Sequence, residues 1–191
     1  MHQTQPSLKI SEITPEHFAD IIKLGNEVHG DNYLTDESLQ EIYQKGFNHD
    51  INLSYVAHME DKLIGFRLTY APNKWKIDKW CTPTQWGVDS DKVVYFKCNT
   101  VDEAYRGHGI GGKLLTASIE KAKSVGAVAG VAHLWRQSPG NSSVKYFTKA
   151  GGILVKDHPD RWNKAHYGDN YICTICGEDC HCVAAEMILH F

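Results

Sequence analysis

Two short runs hold the residue types on which chemistry could be built. Arg106-Gly107-His108-Gly109-Ile110-Gly111-Gly112 follows a β-rich run, Val93 to Val101. It opens an apolar-periodic segment, Ile110, Leu114, Leu115, Ala117, Ala122 and Val125, whose spacing predicts a helix. A strand, a glycine-rich turn and a helix start present unpaired backbone N–H groups and the positive end of a helix dipole, which together favour a phosphate. Glycine lacks a Cβ, so phosphate oxygens can approach the backbone closely. A glycine-rich turn without a ligand is the competing reading.

The second run is Cys173-Thr174-Ile175-Cys176-Gly177-Glu178-Asp179-Cys180-His181-Cys182. Cys-x-x-Cys-Gly has the form of a metal knuckle, in which the glycine permits a tight turn that aims backbone N–H groups at the sulfurs. Cys173, Cys176, Cys180 and Cys182 supply enough ligands for a tetrahedral zinc ion, with His181, His158 or His166 as alternates for one thiolate. The Cys180-x-Cys182 half is tighter than the usual second Cys-x-x-Cys. A hairpin of reduced, partly buried cysteines and a redox or iron–sulfur site are the alternatives.

The elements that must position these runs can be read from periodicity. Residues 7–13 alternate as a half-buried strand, Thr14 and Pro15 cap a helix with Phe18, Ile21, Ile22, Gly25 and Val28 on one face, and a second helix starts at Thr35 or Asp36. Residues 53–58 and 63–70 predict a hairpin about Glu60-Asp61-Lys62. Residues 72–92 predict a structured loop carrying Trp75, Trp80 and Trp86. After the glycine-turn helix come a buried strand over 127–135, a loop at 138–141, a short helix over 142–150, a strand from Ile153 and a last strand over 183–191. The order predicts a mixed α/β layer architecture in one domain, residues 1–191, with a cysteine-rich segment at 173–182.

Composition narrows the partners. A net charge of −3 carries no polyanion signature, so nucleic acid is not expected, and no run approaches the roughly 18 apolar residues that span a bilayer. Met1 to Pro6 lacks the basic and apolar regions of a signal peptide, so the expectation is a cytoplasmic protein without disulfides.

Three phosphate-binding turns compete for the glycine run. A Walker loop needs Ser or Thr after the lysine, and Lys113 is followed by Leu114. A dinucleotide fingerprint fits Gly107, Gly109 and Gly112 by letter, yet it calls for an acidic residue about 20 positions on. No Asp or Glu lies between Glu120 and Asp157. At these residues the chain resembles the GNAT superfamily of N-acetyltransferases, whose signature, Arg/Gln-x-x-Gly-x-Gly/Ala after a strand, stands here as Arg106 to Gly111. The element order from about Leu8 to Phe191 agrees, so the resemblance covers nearly the whole chain.

The resemblance implies a GNAT-like acyltransferase fold, a central mixed and mostly antiparallel sheet flanked by helices, with acetyl-CoA as donor. It implies that backbone amides of Gly107, His108, Gly109, Ile110, Gly111 and Gly112 bind pyrophosphate, with Arg106 adding charge or standing as an ordinary loop arginine. Asn99, Thr100 and Val101, on a strand splayed from its neighbour, would bind the pantetheine arm. Asn141 resembles the family's cofactor-touching asparagine or serves as a helix N-cap. The reaction implied is direct attack of a neutral primary amine, of a small molecule or peptide, on the thioester in a ternary complex.

That reaction needs a base for the amine proton and a donor for the leaving thiolate. Many family members use a helix tyrosine as the donor, in a pattern like Tyr-x-Lys-x-Gly-Phe. Here Phe147 or Thr148 takes its place, depending on whether Gly151 or Gly152 is aligned. Tyr146 is the acid candidate, although successive helix residues point about 100° apart and it would face elsewhere unless the helix start is shifted. Glu103, just past the cofactor strand, is the first base candidate, with a solvated loop carboxylate as its plain role. His133 is the second, with a satisfied core histidine as its plain role.

In the layout of this family the cysteine segment lies between the last two strands and borders the acceptor site, where a zinc ion would stiffen a wall. Trp75, Trp80, Trp86, Trp162 and Tyr167 suit an acceptor pocket, core packing or a homodimer contact equally, and Asp78, Asp89 and Asp91 hint at a cationic acceptor. The missing helix tyrosine keeps a second reading open. It is a non-catalytic acyl-CoA-binding GNAT-fold module whose cysteine knuckle is structural or docks a partner.

Overall fold

A computed structural model describes residues 6–167 and 171–191; the stretch read for a leader, apart from Pro6, lies outside that range. Seven strands form one sheet in the order β1-β4-β5-β6-β7-β9-β8. These are β1 (Leu8–Glu12), β4 (Tyr55–Met59), β5 (Lys62–Tyr70), β6 (Val93–Val101), β7 (Ala129–Trp135), β8 (Ile153–Pro159) and β9 (Val183–His190). All neighbours run antiparallel except β6 and β7, which run parallel. This is the mixed, mostly antiparallel sheet that the resemblance implies.

Helices cover both faces. On one, α1 (Phe18–His29) and α2 (Asp36–Lys45) bury Ile21, Leu24, Leu39 and Ile42 against Val56, Phe66 and Leu68. Thr35 caps α2 by accepting the Ser38 N–H at 3.1 Å, and Thr14 and Pro15 open the single 3-10 turn that leads into α1. On the other face, α3 (Ile110–Ser124) and α4 (Ser142–Lys149) bury Ile110, Leu114, Leu115 and Phe147. Each sheet strand alternates its side chains between these layers. Phe66 and Leu68 therefore pack on α1 and α2, while Arg67 and Thr69 reach Tyr146 of α4 and Ser118 of α3.

The structure adds to the sequence reading in three places. A two-residue hairpin, β2 (Phe47–Asn48) with β3 (Ile51–Asn52), joins α2 to the sheet and is too short to leave a periodic signal. The strand from Ile153, to which the sequence reading gives no end, runs to Pro159 as β8, an edge strand paired only with β9 among the described residues. A one-turn helix, α5 (Lys164–Tyr167), precedes the cysteine segment. The tryptophan-bearing loop is anchored rather than loose: the Trp86 indole donates to Glu186 at 2.8 Å and the Trp75 indole to the Val93 carbonyl at 3.0 Å.

Candidate active site

The parallel pairing of β6 with β7 runs only from Val93–Phe96 against Ala129–Ala132. On its other edge β6 stays paired with β5 out to Val101, but the register slips, with Leu68 opposite Cys98 and Thr69 opposite Phe96. Lys97 is thus the extra residue of a bulge, which bends and twists its strand. Bulge and end of pairing coincide, and β6 and β7 part there. A cleft of about 240 Å³ opens at the split, walled by Asn99, Thr100 and Val101 on one side and Ser142 and Ser143 on the other.

The glycine run closes one end of this cleft. Gly107 and Gly109 adopt φ of 82° and 74°, the left-handed region that favours glycine, and Gly109 is the N-cap of α3. Nothing lies within 4 Å of a Cβ built at Gly107, Gly109 or Gly112, so the backbone is open to a ligand. Ile110 and Gly111 also line the cleft, whereas the His108 side chain is exposed and outside it. Arg106 lines the cleft with its Nε donating to the Val101 carbonyl at 3.2 Å. The Asn99 Oδ1 is buried with no hydrogen-bond partner among the described residues. An open helix start and an orphaned acceptor on the wall of the same cleft fit a ligand with phosphates at one end and amide N–H groups along its arm.

A second cavity adjoins the cleft, and His29, Asn99, Trp135, Ser143 and Tyr146 line both. Phe147 is fully buried against Phe96. One residue back, about 100° round the helix, Tyr146 faces the junction. The helix start that produces this follows Asn141, held in the left-handed region at φ 53°. Asn141 caps no backbone group with its side chain, its Oδ1 is buried without a partner among the described residues, and it does not itself line the cleft.

The Tyr146 phenol oxygen accepts a hydrogen bond from Arg67 Nη2. Burial raises the Tyr146 pKa and the Arg67 charge works against that rise. His29, at the end of α1, places Nε2 2.8 Å from Thr100 Oγ1. Burial, helped by the charges of Arg106 and Lys97, lowers its pKa to about 4, so its ring is neutral at pH 7. No spacing in the sequence marks His29 or Arg67.

Glu103 stands exposed on a short turn and lines neither space, so the structure does not bring it to the junction. His133 lines the second cavity from β7. Its Nε2 meets the Trp80 carbonyl and its Nδ1 the Tyr95 hydroxyl at 2.6 Å. Burial and then the Arg161 charge lower its pKa to about 3. Behind it, His158 bonds Glu186 at 3.0 Å. Although burial acts in the opposite sense, His158, Trp86 and Thr82 hold the Glu186 pKa down. These atoms lie close enough to hold a metal, but their protein hydrogen bonds already engage them. Of the aromatic residues, Trp162 lines the cavity, whereas Trp75 and Trp86 pack in the core. Asp78, Asp89 and Asp91 line neither space at the junction.

The cysteine run folds back on itself. Cys173 and Gly177 exchange backbone hydrogen bonds of 3.0 and 2.9 Å, and the Ile175 N–H points at Cys173 Sγ at 3.5 Å. The sulfurs of Cys173, Cys176, Cys180 and Cys182 all lie within 4.8 Å of one another, with Cys173–Cys182 at 3.9 Å and Cys176–Cys182 at 3.5 Å. Zn–S bonds of about 2.3 Å at tetrahedral angles place sulfurs about 3.8 Å apart, so the set fits zinc. His181 is turned from the sulfurs, its ring nitrogens 2.6 Å from Asp160 and 3.0 Å from Asp179. His158 is engaged by Glu186, and His166 lies 3.2 Å from Lys79. Cys180 lines the second cavity, and Trp135, Trp162 and Tyr171 pack on the cluster.

No helix among the described residues is long and apolar enough to cross a membrane. Among solved structures, the ribosomal-protein-S18-alanine N-acetyltransferase of Escherichia coli is similar over 96% of this chain and 94% of its own, at TM-score 0.67 and 11% identity. An N-acetyltransferase of Staphylococcus aureus is similar over 96% and 98%, at 0.67 and 18%. The putative acetyltransferase yncA of Salmonella typhimurium, solved with its cofactor acetyl-CoA, is similar over 96% and 93%, at 0.66 and 16%. At these identities the likeness is one of fold. Among curated proteins no sequence matches significantly. The acetyltransferase (GNAT) family profile matches residues 18–152, which carry the splayed strand, the glycine turn and α4. The chain belongs to that family, and is an acetyl-CoA-dependent N-acetyltransferase.

Proposed function

We propose that this enzyme moves the acetyl group of acetyl-CoA directly to a primary amine at the junction of the two cavities. The observation that carries this reading is the junction itself, where the glycine-turn cleft meets a second cavity beneath a tyrosine hydroxyl and a neutral imidazole. The pyrophosphate would lie on the amides of residues 107–112, with Arg106 beside it. The pantetheine arm would lie along Asn99, Thr100 and Val101, with the buried Asn99 Oδ1 as acceptor for one of its amide N–H groups. Asn141 supports the site by setting the start of α4 rather than by contact.

The amine nitrogen forms a bond to the thioester carbonyl carbon, and the carbon–sulfur bond breaks as the tetrahedral intermediate collapses. The β7-facing edge of β6 past Phe96 has no strand partner among the described residues, so backbone N–H there is free to stabilise the oxyanion. Tyr146 protonates the leaving thiolate. Because Arg67 donates into its oxygen, the phenol proton is left to point at the cleft. His29 receives the amine proton and, being weakly basic, passes it on to solvent or back to Tyr146. Glu103, exposed and outside the junction, takes no part in this scheme.

Cys173, Cys176, Cys180 and Cys182 would together hold one zinc ion, which would stiffen the wall of the acceptor cavity through Cys180. Acetyl transfer from a thioester needs no metal, and the zinc has no role in the chemistry proposed. The test of the main reading is acetyl-CoA binding together with free-thiol release over an amine panel. Tight binding with no amine-stimulated release would favour the non-catalytic binding module instead.

A further inference from the structure

The acceptor cavity is cationic. Arg67, Lys97 and Arg161 line it, and no Asp or Glu does so among the described residues. None of the three lines the glycine-turn cleft, so they are not the phosphate-binding charges of the donor. Arg67 is only 1% exposed. Its guanidinium lies over the Phe96 ring at 5.1 Å, and its Nε is buried with no hydrogen-bond partner among the described residues. The Arg161 Nε is orphaned in the same way, with the guanidinium 5.8 Å from the Trp162 ring.

A buried guanidinium lacking a counter-anion is costly, and each unmade N–H bond adds to the cost. Arg67 is such a group, and the half-buried Arg161, which hydrogen-bonds Tyr95 but leaves its Nε unmet, faces the same cavity. Together they form a site completed by an anion from outside the chain. Their planar forks match a carboxylate better than a point charge does. The field they create also acts on neighbours: His133 is held neutral in part by Arg161, and His29 in part by Lys97.

We propose that the acceptor is a small aminocarboxylate. Its carboxylate docks on Arg161 and the free edge of Arg67, and its amine faces His29 and Tyr146 at the junction. This inference rests on the acetyl-transfer reading above. It reverses the cationic acceptor hinted at by Asp78, Asp89 and Asp91, since none of these faces the cavity. One carboxylate leaves the cavity net positive, which disfavours the ammonium form and delivers the amine neutral for attack.

The experiment uses matched acceptors, each amino acid against its own methyl ester, with saturating acetyl-CoA and thiol release as the readout. The acids should exceed their esters in kcat/KM by about 10- to 100-fold, the scale of a charge-assisted hydrogen-bond pair. Arg161→Gln should bring that ratio close to one, chiefly through a raised KM for the acid. A readout that needs no variant is inhibition by the carboxylic acid lacking the amine, which should compete with the acceptor where its methyl ester does not. Esters that match or exceed the acids, or equal inhibition by acid and ester, would overturn the proposal while leaving acetyl transfer intact. Acetyl-CoA binding with no turnover of either class would overturn both.

Discussion

Arg67, on β5, donates to the phenol oxygen of Tyr146 on α4, joining a residue of the second cavity to one at the meeting point of both cavities, 79 positions apart. The contact fixes which way the tyrosine proton points and moderates the rise in pKa that burial imposes. Tyr146→Phe is therefore expected to lower kcat by about 10²-fold, the lower end of general-acid contributions, with acetyl-CoA affinity unchanged. Steady-state kinetics beside calorimetric acetyl-CoA titration checks this. An unchanged kcat would remove Tyr146 as the acid.

The glycine turn offers a cleaner test of the donor site. Aspartate tolerates left-handed φ better than most residues, and nothing lies within 4 Å of a Cβ at Gly109. Gly109→Asp should thus fold, with a melting temperature lowered modestly by the left-handed backbone at φ 74°. Its carboxylate would occupy the place proposed for pyrophosphate, and acetyl-CoA binding should be lost. Retained affinity would place the donor elsewhere.

Metal analysis of the purified chain should find about one zinc per molecule. Cys180→Ser or prolonged chelation should lower the melting temperature and raise the acceptor KM, leaving acetyl-CoA affinity intact because the cysteine cluster borders only the second cavity. A metal-free protein of unchanged stability would refute the site.

Acid should destabilise the fold through its buried histidines. His29 and His133 have folded pKa values of about 4 and 3, below the 6.5 of an unfolded histidine. Below about pH 6.5 the unfolded chain binds protons that the folded chain does not, so their stabilisation is complete above that pH and is lost progressively down toward pH 4 and then 3. The combined effect is on the order of a few kcal/mol. Thermal melts from pH 8 to pH 4.5 should show the decline begin near 6.5, and His133→Asn should flatten it. A melting temperature independent of pH over that range would contradict the burial assigned to both rings.

The features legible in the sequence are those whose parts are neighbours in it. The glycine turn, its strand and α3 form one continuous stretch, and the four cysteines span ten residues. The junction is assembled from distant pieces. His29 ends α1 before Gly30 and meets Thr100 71 residues on, a pairing that only the sheet order creates. Arg67 interrupts the apolar run of β5, which on a two-faced strand reads as an ordinary exposed position; α4 turns it into a buried one. The direction of Tyr146 depends on the left-handed Asn141 that sets the helix start, and on Phe147 taking the core. The Lys97 bulge that opens the cleft leaves no mark, because a lysine in a strand reads as an outward-facing side chain whether or not it is bulged.

The most direct test of acetyl transfer at the junction is to follow isotopically labelled acetyl from acetyl-CoA by mass spectrometry, counting labelled amide against free CoA thiol. One labelled amide per thiol, with both signals dependent on the amine and strongly reduced in Tyr146→Phe, is the predicted result. Thiol release without labelled amide, or label left on the protein chain, would contradict direct attack at this junction.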